Sequence, residues 1–393
     1  MEKFRIGLIG CGVISDKYLT TCQQFDLLDI VACASLNIEE SQQKADAYNI
    51  PRVCAPDEII NDPSIDCVLN LTIPEVHAQI SIAALNAGKH VYSEKPFVTD
   101  LADGEEILAL AKAKGLYVGN APDTFLGGRL QTCKKLIDQG VIGQPTGVMA
   151  CVPTRGVERH HPNPDFYYQN GGGPLLDLGP YYLTAMVALL GPITRVCGLA
   201  KKTLDERLIE SKPRVGEKIP VNVDTHINAL LEFESGVQGS LMASFDVWDS
   251  QTPRMEIYGE NGTLCINDPD PTDGFNIFGG QVLYKTRETA RWVYRPRTPN
   301  LEFWSVAENT HGFNQEARGL GLLDLAYAVK NQRPARANGK LAQHVCEVMF
   351  GILESAKTGQ YYQVKSRCES PSALPEDFPR VTDSGSEDGA RAL

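Results

Sequence analysis

The sequence predicts an α/β chain of two domains. The first is a doubly wound parallel sheet, and the second is built on a large, mostly antiparallel open sheet with helices. Three observations predict this. Short apolar runs alternate with helix-length amphipathic runs over about the first 120 residues, the pattern of βαβ units. Downstream of Gly147 the pattern becomes strict alternation broken by "ESG" and "ENG", which are hairpin turn signals. The length of 393 residues exceeds what most single cores organise.

The elements follow in order. "KFRIGLIG" is an apolar strand, followed by a Gly-rich turn and a helix through about Gln24. "LLDIVACAS" is a second buried strand and "IEESQQKADAYN" an amphipathic helix. "DCVLNLT" is a strand, "HAQISIAALNAG" a helix stopped by Gly88, and "KHVYSE" a strand. "DLADGEEILALAKAKG" is a helix from near Asp100 to Gly115, and "LYVGN" closes the sheet. Right-handed crossovers then place a ligand at the carboxyl ends of the strands. "THINALLEFESGVQGSLMASFDVW" and "RMEIYGENGTLCI" read as hairpins of the second sheet. "LGLLDLAYAVKN" and "KLAQHVCEVMFGILESAKTG" are late amphipathic helices. The expected domains are 1–122 and 123–368, with 369–393 a Pro-, Ser- and acid-rich tail expected to be disordered.

Composition excludes several classes. The formal charge of −12 leaves no general basic footprint for nucleic acid or an anionic membrane, only room for a local phosphate pocket. No apolar run approaches a membrane span, and "MEKFRIGLIG" lacks the pattern of a signal peptide. The eleven cysteines are scattered with no C-x-x-C pair, and several fall in strand-like apolar runs. Reduced, buried thiols in a cytoplasmic protein, and no metal site, are the expectation.

"GLIGCGVIS" opens the first βα turn. Gly10 would allow the tight turn, and Gly12 would let the backbone approach a pyrophosphate at the helix N-terminus. Ser15, at the third position, is small enough for close helix–strand packing. Gly10, Cys11, Gly12, Val13 and Ile14 are therefore the candidate dinucleotide-binding turn. In this fold an acid after the second strand takes the adenosine ribose hydroxyls. Here that place, 25 positions after Gly10, is Ser35, which removes the repulsion of a 2′-phosphate. Leu36 and Asn37 supply no clamp, and Lys44 and Arg52 are the nearest cations downstream. NAD or NADP, with weak discrimination, is the expectation.

"VYSEKPFVTD" carries the next candidate. Pro96 locks its own φ and pushes Lys95 into extended geometry. Alone, this is a solvated turn with a surface lysine. At the carboxyl end of a strand in this sheet, it puts Lys95 on the nicotinamide edge.

With "LTIPEVHA", "AGKHVYSEKP", "GGGPLLDLGPYYLTAMVALLG" and "MEIYGENGTLCI" in order, the chain resembles the glucose–fructose oxidoreductase / inositol dehydrogenase / rhizopine-catabolism (Gfo/Idh/MocA) family over about residues 3–365. The resemblance implies a Rossmann domain followed by a substrate-binding and oligomerisation domain. It implies that Lys95 is the active-site lysine, contacting the substrate hydroxyl and the nicotinamide ribose across a cis Lys95–Pro96 bond. Thr72, His77 and Glu94 would join the cofactor contacts, and Asp177 and Tyr181 would complete the catalytic set. The family pattern there is Asp-x-x-x-His; tyrosine replaces the histidine here, as in some members. Asp123 and His161, the latter with His160 and Asp165 as a pocket lip, would border the substrate, and Trp248 reads either as a sugar-stacking ring or as sheet packing. The implied substrate is a sugar, glycoside or cyclic polyol, and the implied assembly is a homodimer or homotetramer through the free sheet face.

The chemistry fits alcohol oxidation. Hydride leaves a carbinol carbon for the nicotinamide while the hydroxyl proton needs a base. An ordinary phenol titrates near about 10, and a neighbouring ammonium favours the phenolate and holds a developing alkoxide. Asp177 would orient the hydroxyl and balance the charge. The base stays open between Tyr181 and Lys95. A dinucleotide-binding regulatory or sensor protein of the same fold is the other class; retention of Lys95, Asp177 and Tyr181 together favours the enzyme.

Overall fold

In the computed structural model, residues 2–267, 277–289, 304–309, 311, 313, 318–375 and 378 are described. The apolar runs of the N-terminal part form β1 (Phe4–Ile9), β2 (Leu28–Ala34), β3 (Cys67–Asn70), β4 (His90–Ser93) and β5 (Val118–Asn120), all parallel, in the order β2-β1-β3-β4-β5. The order reverses between β1 and β3, the switch point where α/β sheets bind ligands. These strands read as unbroken apolar runs because both faces are covered: Ile6, Leu8, Ala32, Cys33, Val68 and Val91 are all buried.

The connecting helices are α1 (Ser15–Cys22), α2 (Ile38–Tyr48), α3 (Pro56–Asn61), α4 (His77–Asn86) and α5 (Leu101–Lys114). Asn37 caps α2 by accepting from Glu39 N at 3.0 Å, and Asp100 caps α5 by accepting from Ala102 N at 3.0 Å. α5 ends on Gly115 in the left-handed region, as expected. α1 stops at Cys22, two residues short of the expected end.

The described residues of Met1–Leu126, Glu316–Cys346 and Leu374–Leu393 form one compact unit, and those of Gly127–Gln315 and Glu347–Ala373 form another. The expected division at 122 was sequential; instead the chain returns to the first unit. The reason is hydrogen bonding at the β5 edge. Asn120 N donates to Ala337 O at 3.0 Å. Asp123 Oδ2 accepts from Gly319 N and Gly321 N at 2.8 and 2.9 Å, where α8 (Leu320–Asn331) begins.

The second unit contains α6 (Gly128–Asp138), β6 (Pro145–Pro153), α7 (Pro174–Leu190), β7 (Ile193–Lys201), β8 (Glu206–Leu208), β9 (Lys218–Pro220), β10 (His226–Phe233), β11 (Gln238–Ser244), β12 (Met255–Gly259), β13 (Gly262–Ile266), β14 (Val282–Thr286), β15 (Ser305–Ala307) and β16 (Tyr362–Gln363). Between the units' segments, α9 spans Gly339–Thr358. The large sheet runs β15-β14-β13-β12-β6-β11-β10-β7-β16, and among the described residues β6–β11 is its one parallel pair. The β10–β11 and β12–β13 hairpins turn at "ESG" and "ENG", as expected. α7 packs on β6, β10 and β11. Ile227, Ala229, Leu231, Leu241 and Ala243 are buried on one side, while Leu230 and Leu199 remain 58% and 73% exposed.

Two expectations are corrected here. β11 ends at Ser244 rather than running on through "FDVW", because Asp246 turns inward: its N–H donates to Ser244 Oγ at 3.0 Å and its carboxylate takes Arg207. Trp248 is thus outside the sheet and 71% exposed, with the Arg159 guanidinium 4.4 Å from its ring centroid. The disorder expected from 369 does not hold for 369–375. Leu374 is buried there, and Ser370 Oγ donates to Ala188 O at 2.6 Å. Residues 376, 377 and 379–393 lie outside the described residues.

A buried ionic knot fixes the segment ahead of α7. Arg207 donates to Glu158 Oε1 at 3.1 Å, to Phe245 O at 3.2 Å and to Asp246 Oδ1. Tyr168 OH donates to Glu158 Oε2, and Thr225 Oγ1 to Asp246 Oδ2 at 2.6 Å. Glu158 and Arg207 are nearly inaccessible to water. Removing the cation leaves two carboxylates facing each other in a dry site, which costs far more than the pair itself contributes. Arg207→Ala is therefore expected to lose about 3–5 kcal/mol of unfolding free energy, measured by denaturant titration. Parental stability would mean that water reaches Glu158 and Asp246.

Candidate functional site

In the first unit the site starts where β1 ends. Gly10 has φ +106°, and a Cβ there would lie 2.4 Å from Leu71 O, so only glycine fits. Around a Cβ built on Gly12 there is nothing within 4 Å. Gly12 and Val13 are exposed, Val13 at 87%, which leaves the turn's backbone open to a ligand. Ser15 Oγ donates to Gly12 O at 2.6 Å and closes the turn onto α1. Cys11 is buried beneath it.

Ser35 follows β2. Its hydroxyl donates to Asn37 O at 2.5 Å and accepts from Ser41 Oγ at 3.0 Å, so it also shapes the β2–α2 loop. The two downstream cations part ways. Arg52 turns to Asp62. Lys44 pairs with Asp16 on α1, Nζ to Oδ1 2.5 Å, and its charge reaches Cys11 beside the turn.

At the ends of β3 and β4 a buried polar frame holds Lys95. His77 is 1% exposed; its Nδ1 lies 2.8 Å from Pro96 O and its Nε2 2.9 Å from Thr72 O. The ring thus lies between two strand-end loops, with a backbone carbonyl against each nitrogen. Thr72 Oγ1 donates to Asn70 Oδ1 at 2.6 Å, and Asn70 Nδ2 to His77 O at 3.0 Å. Glu94 is also turned inward: Oε1 accepts from Tyr18 OH at 2.9 Å and Oε2 from Lys95 N at 2.8 Å. Burial first, then the Glu94 charge, push the Tyr18 phenol well above its ordinary range, so it stays a donor. The Lys95–Pro96 bond is cis, and Lys95 is half-buried. Sequence reasoning missed Tyr18; its only signal was a phenol on the buried face of the helix after the glycine turn.

Asp123 is not a cleft residue. It is fully buried and caps α8, and burial raises its carboxyl above the usual range against the pull of Arg318. A glycine pair at 319 and 321, far along the chain, gave no signal of this.

In the second unit, α7 begins at Gly173, φ +91°, with Pro174 in its first turn. It runs through Pro180, whose missing N–H leaves the Leu176 carbonyl without the usual donor four residues on. Of its 17 residues, all are buried except Leu176, Asp177 and Tyr181. Asp177 and Tyr181 stand one turn apart on that half-open strip. His161 belongs to the same neighbourhood: burial lowers it from the ordinary imidazole value, and the Asp177 charge opposes this. Its ring meets Phe166 and Tyr167 edge-on at 5.5 and 5.3 Å, and Nδ1 accepts from Asn163 N at 3.1 Å. Asp165 is paired with Arg214, and His160 is exposed. Trp248 is open on the surface, away from any strand. Lys95 lies in the first unit, and Asp177, Tyr181, His161 and Trp248 lie in the second.

The family model described as "Oxidoreductase family, NAD-binding Rossmann fold" matches residues 4–121, and the "GFO/IDH/MocA C-terminal domain" matches 130–265. Trans-1,2-dihydrobenzene-1,2-diol dehydrogenase of Bos taurus is 26% identical over 68% of this chain and 76% of that protein. Myo-inositol 2-dehydrogenase of Thermotoga maritima is 24% identical over 74% of this chain and 84% of its own. Among solved structures, levoglucosan dehydrogenase in complex with NADH and L-sorbose is 20% identical and superposes over 93% of this chain and all of that one, with a TM-score of 0.76.

Tyr18→Phe keeps the ring and deletes the donor, leaving Glu94 Oε1 buried with its partner gone. The expected loss is about 1–3 kcal/mol in unfolding free energy, read from the denaturation midpoint. No change would show that the phenol carries none of the fixation of Glu94.

Proposed function

The chain belongs to the Gfo/Idh/MocA oxidoreductase family, and from that premise we propose that it is a nicotinamide-dependent dehydrogenase or reductase acting on a CH–OH carbon of a sugar, glycoside or cyclic polyol. The observation that carries the reading is the strip on α7: in a helix otherwise buried along its length, an acid and a phenol one turn apart are left accessible. The relatives named for an inositol and a dihydrobenzenediol, and the neighbour named for levoglucosan, support ring-borne hydroxyls as the substrate class.

The residues present fit a dinucleotide, because only glycine fits at position 10 and the turn's backbone is open at Gly12. Gly10, Cys11, Gly12, Val13, Ile14 and Ser35 would hold it, with Thr72 and the Glu94–Lys95 strand end nearby in the same unit. When bound, the cofactor supplies hydride acceptance or donation. The chain does the rest. The Lys95 ammonium holds the negative charge that grows on the substrate oxygen. Tyr181 takes or returns the hydroxyl proton, or Lys95 does so itself, and Asp177 orients the hydroxyl. His161 and Trp248 flank the substrate on the second unit.

Three finer statements belong to the same proposal. Both NAD and NADP are accepted, since Ser35 carries no charge to repel a 2′-phosphate, while Lys44 and Arg52 are already paired with Asp16 and Asp62. The protein assembles as a homodimer or homotetramer through the sheet face that bears exposed Leu199 and Leu230. It works in the cytoplasm, consistent with eleven free thiols; no helix among the described residues is long and apolar enough to cross a membrane.

A panel of sugars, glycosides and inositols, followed by nicotinamide absorbance after checking for pre-bound nucleotide, tests the activity. Lys95→Ala should lower kcat by about 10²–10³-fold with dinucleotide Kd changed only a few-fold. Tyr181→Phe should cost about 10²–10⁴-fold if the phenol moves the proton; wild-type turnover would leave Lys95 as the base. Unchanged kcat in Lys95→Ala would sink the mechanism. For the cofactor, Ser35→Asp should weaken NADPH far more than NADH. Full NADPH affinity in that variant would show that position 35 does not read the ribose.

A further inference from the structure

Three rings cluster just ahead of α7 in the second unit. His161 meets Phe166 and Tyr167 edge-on, and the Phe166 and Tyr167 centroids are 4.0 Å apart with their planes 32° off parallel. Phe166 carries no polar atom in its side chain, yet it is 52% exposed. The chain beneath it is firmly held. Phe166 and Tyr167 lie in a 3₁₀ turn, Asp165–Tyr168, whose first residue pairs with Arg214 and whose last is buried and donates to Glu158. Ser211 Oγ donates to His161 O, and Gln169 Nε2 donates to Pro220 O at 2.9 Å. A bare ring against water is unfavourable, and this mount prevents the ring from folding away.

The cluster is built onto the start of the helix that carries Asp177 and Tyr181. Gly173 N donates to Tyr167 O at 2.7 Å, and a Cβ on Gly172 would lie 2.5 Å from both Phe166 O and Tyr167 O. The turn's backbone thus rests directly on the glycine loop, with no room for a side chain between them. The imidazole adds a directional group. His161 Nδ1 accepts from Asn163 N, so the neutral ring carries its proton on Nε2. That Nε2 has no partner among the described residues. An apolar ring beside one N–H donor matches a ring-form sugar, whose C–H groups make an apolar face and whose oxygens project from the rim. An open-chain polyol presents no such face.

We propose that Phe166, backed by Tyr167, stacks on the C–H face of a ring-closed sugar or cyclitol, while His161 Nε2–H donates to an oxygen on its rim. This rests on the α7 strip being the place where the carbinol reacts, and it adds a selection for ring-closed over open-chain substrates. Stacking on a ring that keeps its shape through the reaction acts alike on ground and transition states, so it is felt in KM rather than in kcat.

Saturation-transfer NMR of the full chain, with irradiation of the aromatic protons, reads the contact directly. Methyl β-D-glucopyranoside and myo-inositol serve as ring probes and D-glucitol as the open-chain probe. At least one ring probe should receive saturation on its C–H protons, and D-glucitol should receive far less. Phe166→Ala should weaken binding of that ring probe about 5–150-fold, the range seen when an aromatic stacking partner is removed. Phe166→Trp should retain the transfer, and an unchanged melting temperature should show both variants folded. His161→Phe keeps a ring and deletes the donor, and should weaken binding about 2–10-fold. No transfer to either ring probe, equal transfer to D-glucitol, or wild-type affinity in Phe166→Ala overturns the proposal. Transfer that depends on Phe166, with no nicotinamide absorbance change for any sugar, glycoside or inositol, would instead overturn the dehydrogenase reading and leave the stacking subsite standing.

Discussion

Glu94 receives the Tyr18 phenol on one oxygen and the Lys95 amide on the other, and the arrangement of the first unit's site follows from that pair of bonds. Tyr18 sits on the helix that leaves the glycine turn, and Lys95 follows β4. One carboxylate thus sets the helix after the glycine turn and the Lys95 backbone in a common frame. A buried carboxylate is costly unless every lone pair in use finds a donor; here the donors come from two separate elements of the fold. His77 adds the second brace, from the loop after β3 to Pro96. The backbone on either side of the Lys95–Pro96 bond is therefore braced by groups that are themselves buried.

The second unit reaches the same end by other means. α7 is so apolar that it must be covered, and only a strip with Asp177 and Tyr181 is spared. Its entry is fixed by positive φ at Gly173 and by the Arg207 knot, which anchors the preceding segment to the end of β11. Asp177 and Tyr181 are placed by a rigid element, and the polar cost is met behind them.

Much of this was legible in the sequence where the signal is local. Period-two and helix-length patterns gave the strand order's raw material, the two hairpin turns marked β10–β11 and β12–β13, and Gly10 announced its own geometry. The Asp177–Tyr181 spacing was readable because four residues make one turn. What escaped depended on partners distant in the chain. Asp123 looked like a cleft acid because nothing nearby reveals that Gly319 and Gly321 await it. Trp248 looked like a strand residue because alternation continues past Ser244, although a buried Arg207 diverts the chain at Asp246.

The parallel pairing of β6 with β11 has a bearing on how the protein comes to be made. Gly147 pairs with Gln238 and Pro153 with Ser244, so the centre of the large sheet joins segments about ninety residues apart in the chain. Closing so long a loop costs entropy before any contact is gained, and such contacts slow folding. On the ribosome, β6 emerges first and has no partner until β11 and β12 have followed. Through that interval an apolar strand with two unsatisfied edges is exposed. The second unit is thus a late-assembling body whose newborn form is open to mispairing, while the first sheet, whose strands are closer in sequence, can settle much earlier.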